Sequence, residues 1–108
     1  MTQSKFFVKG GVLSGFSVDG HSGAGMAGGD IVCAAISSAA FMTVNTVTDI
    51  CGCRAAAEVD DGHMKIMVDE RDTARCQDIL KGFRLHMEEL KEQYPRSIHI
   101  ETVDISEV

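Results

Sequence analysis

The sequence predicts an α/β fold of the α+β type, in which two helices pack on a mixed, mostly antiparallel sheet and the elements run in the order ββαββαβ. Three observations carry this expectation. Hairpin signals at Gly10-Gly11 and at Asp61-Gly62 each sit between alternating segments. A nearly uncharged run over residues 30–47 has the length and alanine content of a buried helix, and a run over residues 72–94 places apolar side chains at helical spacing just before Pro95.

Taken in order, "KFFVKGGVLSGFSVDG" reads as two strands around a Gly-Gly pair, which suits the positive φ angles of a tight hairpin turn. In the second arm Val12, Ser14, Phe16 and Val18 are expected on one face. Asp30 stands where an N-cap belongs, and "DIVCAAISSAAFMTVNTV" follows it to Val47 with almost no charge, which predicts a helix that is largely buried. Alanines at 34, 35, 39 and 40 would let this helix lie close to a sheet. "CRAAAEV" and "HMKIMVDE" form the second hairpin, with Met64, Ile66 and Val68 on one face. Asp72 or Thr73 caps a second helix that runs to about Tyr94. Its buried stripe is Cys76, Ile79, Leu80, Phe83, Met87 and Leu90, and Lys81, Arg84, Glu88, Lys91 and Glu92 take the wet face. "SIHIETVDI" closes the order as a strand.

A chain of 108 residues is expected to form a single domain over 1–108 with one modest core. Apolar residues make up 44% and charged residues 24%, the balance of an ordinary globular protein. No run approaches the roughly 20 apolar residues that cross a bilayer, so no membrane is expected as a partner. The start, "MTQSKFFVKGG", lacks a basic segment followed by a long apolar one, and the expected location is cytoplasmic. In that compartment the four cysteines are expected as thiols. The net charge of −6 repels phosphate backbones, which excludes direct binding of nucleic acid and favours a basic peptide or protein as partner.

The chemistry concentrates in "GHSGAGMAGGDIVCAAIS", residues 20–37. With Asp30 as N-cap, Cys33 is the third helical residue, where unpaired backbone N–H groups point outward and the helix dipole is positive. Helix N-termini favour a thiolate over a thiol. His21 lies 12 residues earlier at the end of a strand, able to fold back over the helix start. A Cys and a His within hydrogen-bonding reach make a nucleophile and its base, and the imidazole can then protonate the leaving amine. Five of the ten residues from Gly20 to Gly29 are glycine, which suits a loop that must open and let another backbone approach closely. A blander reading stands beside this one: a cysteine in an apolar helix as a small core residue, and a histidine at a strand end as surface. Gly23, Gly25 and Gly28 also satisfy the dinucleotide-binding spacing G-x-G-x-x-G. The third glycine precedes the cap, however, and the next segments form a hairpin rather than a parallel strand, so that motif is set aside.

"GH" at 20–21 and "GGDIVCAAIS" at 28–37, at that spacing, resemble the ribosomal-processing cysteine proteases called Prp. The resemblance covers nearly the whole chain in length and element order. It implies an endopeptidase that removes a short N-terminal extension from a large-subunit ribosomal protein, after a pair of phenylalanines, and so supports ribosome maturation. It further implies that Cys33 is the nucleophile and His21 the base, that Asp30 and Ser37 belong to the motif, that the loop between the dyad residues moves to admit substrate, and that the protein is a homodimer. Gly20, Gly28 and Gly29 complete the matched signature. Inside the loop, "SGAGMAG" is smaller and less aromatic or charged than the family's pattern.

Asp30 has two readings, orienting His21 or capping the helix, and capping accounts for it. Ser37 lies one turn beyond Cys33 on the same face, where it either lines the pocket or bonds back to the carbonyl of residue 33. Met26, Phe41 and Met42 are candidate walls of an apolar groove for two aromatic side chains. Cys51 and Cys53 form a C-x-C pair without zinc-site spacing to His63, His86 or His99, so no metal or cofactor is expected. Cys76 belongs to the core stripe, and Tyr94 anchors a helix end. The alternative in another class is a non-catalytic module that holds a basic ribosomal-protein tail in the same groove.

Overall fold

Gly10 and Gly11, at φ +59° and +80°, close the first hairpin as their pairing predicts, joining β1 (Thr2–Lys9) to β2 (Val12–Asp19). The structure is a computed structural model and describes residues 1–20 and 31–106. After β2 come α1 (Ile31–Asn45), extended by a π-helical turn over Thr46–Ile50, then β3 (Ala55–Asp60) and β4 (His63–Val68). A 3-10 segment, Glu70–Cys76, leads into α2 (Gln77–Gln93), and β5 (Ile98–Asp104) follows. The order ββαββαβ is the expected one. The sheet runs β3-β4-β2-β1-β5, antiparallel throughout except where β5 joins β1 in parallel.

Both helices pack on one face of this sheet and share one core. Phe6, Phe16 and Phe83 meet there with ring centroids 4.5 to 6.2 Å apart, surrounded by Ile36, Met64, Ile66, Leu80, Met87 and Ile98. The α2 stripe is buried as its spacing predicts, with Ile79 only partly so.

Four expectations are corrected. In β2 the even residues do not keep one face: Phe7 pairs with Gly15 but Val8 with Leu13, so Ser14 is an extra residue in a bulge. The bulge turns Leu13 into the core beside Phe16 and Val18, and leaves Val12 exposed. Gln77, the first residue of α2, holds this place by accepting from the Leu13 N–H (3.0 Å) and donating to its carbonyl (2.7 Å).

The second helix is capped by neither Asp72 nor Thr73. The 3-10 segment is capped by Asp69, whose Oδ1 accepts from the Arg71 N–H (2.9 Å), while Asp72 is drawn inside to bind Arg54 and Arg75. Long-range pairing has taken the carboxylate that local sequence offers as a cap.

Nor is α1 largely buried. Ile36, Ala40 and Thr43 reach the core, and Ala35, Ala39 and Val44 pack at its margin, but Ala34, Ser38, Phe41, Met42 and Asn45 face outward. A single sheet covers only one side of a helix, whatever the helix is made of. The fourth correction concerns length: Ile31–Ile50 is a 20-residue helix of mean hydropathy 1.6, long and apolar enough to cross a membrane by length and composition. Its serines and threonines break the apolar run in the letters without adding charge.

Candidate functional site

The register of the ladder collects several chain ends at one edge of the sheet. Asp19, which ends β2, lies opposite both Gln3 near the start of β1 and His63 at the start of β4, and Thr2 lies opposite Ile98 at the start of β5. Here the chain leaves the sheet at Gly20, whose N–H donates to the Gly62 carbonyl (3.0 Å). Gly20 has φ +83°, and a Cβ there would lie 2.7 Å from the Met1 carbonyl oxygen, so both conformation and space demand glycine. Beside it His63 bonds through Nδ1 to Asp19 Oδ1, and its Nε2 is 3.4 Å from Glu58 Oε2. Those two carboxylates, Asp19 foremost, raise the His63 pKa above its ordinary value.

The chain re-enters the described structure at Ile31, so Cys33 is the third residue of α1, as expected, in the first turn of the helix. It is half-buried, and Ser37, one turn deeper on the same face, is half-buried too. The remaining thiols differ. Cys53 and Cys76 are 5% and 1% exposed and donate to the carbonyls of Asp72 (3.4 Å) and Thr73 (3.5 Å). Burial, with Cys53 alongside, pushes the Cys76 thiol up to about 12. Cys51 is half-buried, just past the π turn at the far end of the helix from Cys33. Among the described residues no cluster of His, Cys, Asp or Glu could hold a metal ion.

Of the residues singled out from sequence, Gly20, Cys33 and Ser37 are placed by the structure. His21, Met26, Gly28, Gly29 and Asp30 lie outside the described residues. Phe41 and Met42 stand on the outer side of α1, 46% and 54% exposed. Tyr94 ends α2 with its backbone N–H on the Leu90 carbonyl (2.9 Å). Sequence reasoning counted His63 only among scattered histidines. The signal that could have found its partner is the register of β4 on β2, and no local pattern encodes that.

A sandwich of this order, offering a half-exposed thiol in the first turn of its first helix while sealing two others in the core, fits the class of small cysteine proteases. The sequence model described as "Cysteine protease Prp" matches residues 1–99, and the chain belongs to the Prp family. It is 29% identical over 92 residues to the ribosomal processing cysteine protease Prp of Staphylococcus aureus, covering 83% of this chain and 87% of that one. The fold is similar to the crystal structure of the S. aureus protease with a covalently linked product peptide, at a TM-score of 0.86 and 27% identity, over 95% of this chain and all of that one. It is equally similar to the same protease with a substrate peptide, at 0.85 and 26%, with the same coverage.

Proposed function

We propose that this protein is a cysteine endopeptidase that removes the short N-terminal extension of a large-subunit ribosomal protein precursor, cutting after a pair of phenylalanines. The observation that carries the reading is the place of Cys33: a half-exposed thiol in the first turn of α1, in a chain of the Prp family. The covalent product complex of the S. aureus relative supports a nucleophilic route.

In this reading His21 takes the proton from the Cys33 thiol, and the sulfur attacks the scissile carbonyl carbon. Backbone N–H groups of the first turn of α1 receive the oxyanion. The intermediate collapses as the C–N bond breaks, and the imidazolium gives its proton to the leaving amine. Water, deprotonated by His21, then hydrolyses the thioester and restores the thiol. Asp30 caps α1, Ser37 lines the surface one turn deeper, and Gly20, Gly28 and Gly29 permit the close approach of the peptide backbone.

The test is incubation with a peptide that carries two phenylalanines before the scissile bond. Wild-type protein cleaves it, and Cys33→Ala and His21→Ala do not. Cleavage by Cys33→Ala overturns the assignment, and stoichiometric binding without turnover by the wild type replaces it with the binding-module reading.

The same proposal places the protein in the cytoplasm, without nucleic acid or membrane as partner, and makes it a homodimer. The outer face of α1, where Ile31, Phe41, Met42 and Ile50 are 74%, 46%, 54% and 80% exposed, is apolar in the way of a surface that a second copy covers. Sedimentation equilibrium at micromolar concentration is expected to return the dimer mass and, for Phe41→Glu, the monomer mass. A monomeric wild type removes this part of the proposal.

A further inference from the structure

We propose that His63, through its pair with Asp19, is a positioning residue for the catalytic base: it holds the last residue of β2 against β4 and so fixes where the chain turns off the sheet, one peptide bond before His21. The inference rests on the reading of His21 as the base. It stands on three contacts that converge on one point. Asp19 and His63 are cross-strand neighbours whose side chains bond on the open face of the sheet. Gly20, next along, donates to the Gly62 carbonyl at 3.0 Å, which continues the β2–β4 ladder by one step. On its other side Gly20 lies against the Met1 carbonyl, with no room for a Cβ. Gly20 is thus clamped between the turn that begins β4 and the start of β1, and His63 is the side chain that ties the strand to that clamp.

The tie is electrostatic and therefore switchable. Facing His63 from β2 is Asp19 and from β3 are Glu58 and Asp60; Asp61 lies in the turn before it, and the cation near them is Lys65, two residues along β4 itself. Opposite Asp19 on β1 is Gln3, uncharged, with His99 of β5 beyond it. Carboxylates outnumber cations in this set, and they shift the balance of His63 towards the imidazolium. Because the folded-state pKa is raised above its ordinary value, the tie is fully present below the ordinary value of 6.5 and is lost as pH rises through the higher folded one.

The experiment compares wild type, His63→Gln and Asp19→Asn in cleavage of the two-phenylalanine peptide between about pH 6 and 9, with His21→Ala as reference. Glutamine can still hydrogen-bond but cannot carry the charge. Misplacing a base by a fraction of an ångström lowers turnover while leaving ground-state binding intact, so kcat of both variants is expected to fall about fivefold near pH 6 with KM within about twofold. The wild-type advantage shrinks towards unity as pH rises, because neutral His63 then equals glutamine. Amide hydrogen exchange at Gly20, read at the same pH for each protein, is expected to quicken about tenfold in His63→Gln at low pH. Wild-type kcat in both variants while His21→Ala is inactive overturns the proposal, as does a loss of kcat that is the same at every pH. Cleavage retained by His21→Ala overturns the underlying reading instead. Gly20 exchange then judges the anchor by itself, and unchanged protection in His63→Gln removes it.

Discussion

Asp72 and Arg54 are joined twice through one oxygen: Oδ2 of Asp72 accepts the backbone N–H of Arg54 at 2.9 Å and its Nε–H at 3.0 Å. The other carboxylate oxygen reaches Arg75 at 2.8 Å, and the carboxylate side chain is only 6% exposed. The turn into β3 is thereby tied to the 3-10 segment that leads into α2. The Arg54 side chain and its backbone N–H hold the Asp72 carboxyl well below the usual carboxylate range. Asp69 is held at about 2 by Arg71 in the same way.

Acid lability follows from these carboxylates. A depressed folded-state pKa contributes stability that is fully present above the unfolded value of about 3.9 and is lost as pH falls through the folded one. The melting temperature is expected to hold from neutral pH to about 5 and then to drop steeply. Asp72→Asn should lower Tm at neutral pH by roughly 5–10 °C and flatten the acid limb, because less remains to protonate. Thermal unfolding followed by circular dichroism against pH checks both; an acid limb of unchanged slope in Asp72→Asn would contradict the argument.

Gln77→Ala removes both hydrogen bonds that seat the bulged Leu13 backbone and leaves its N–H and carbonyl without those partners. The expected cost is about 1–3 kcal/mol in urea unfolding, larger than for a surface glutamine. Gln77→Glu, which keeps the acceptor but sets a carboxylate oxygen against the Leu13 and Thr73 carbonyls in place of the donor, should cost at least as much.

Gly15→Ala tests the close packing of the central strands. A Cβ at Gly15 would sit 2.0 Å from the Ile66 carbonyl oxygen, which belongs to backbone and cannot swing away. Destabilisation of about 3 kcal/mol, or failure to accumulate as folded protein, is expected. Gly82→Ala is the control: nothing lies within 4 Å of its Cβ, and in the interior of α2 it should stabilise by a few tenths of a kcal/mol up to about 1.

The thiols should separate by accessibility. Native protein treated with iodoacetamide near pH 8 is expected to label at Cys33 and Cys51, both half-exposed, and to spare Cys53 and Cys76. With burial pushing its thiol up to about 12, Cys76 holds very little thiolate at that pH. Peptide mapping by mass spectrometry reads the pattern. Labelling of Cys76 at the rate of Cys33 would show that the core opens.

Which features sequence reveals depends on the distance over which they are encoded. The hairpins at Gly10-Gly11 and Gly62, the stripe from Cys76 to Leu90 and the place of Cys33 three residues into α1 are written in neighbouring residues. Turn dihedrals and helical periodicity act locally, so these needed no tertiary knowledge. The order ββαββαβ and the residue types of the proposed dyad belong with them. The strand order, the bulge at Ser14, the inward turn of Asp72 and the pairing of His63 with Asp19, 44 residues apart, were decided only when the sheet closed. For Asp72 and Leu13 a distant partner won over a local preference: the Arg54 guanidinium over the helix cap, the Gln77 amide over strict alternation. For α1 the reason is different. A helix apolar on every side carries no preference for which side is buried, and only the sheet, by covering one of them, makes the other a surface.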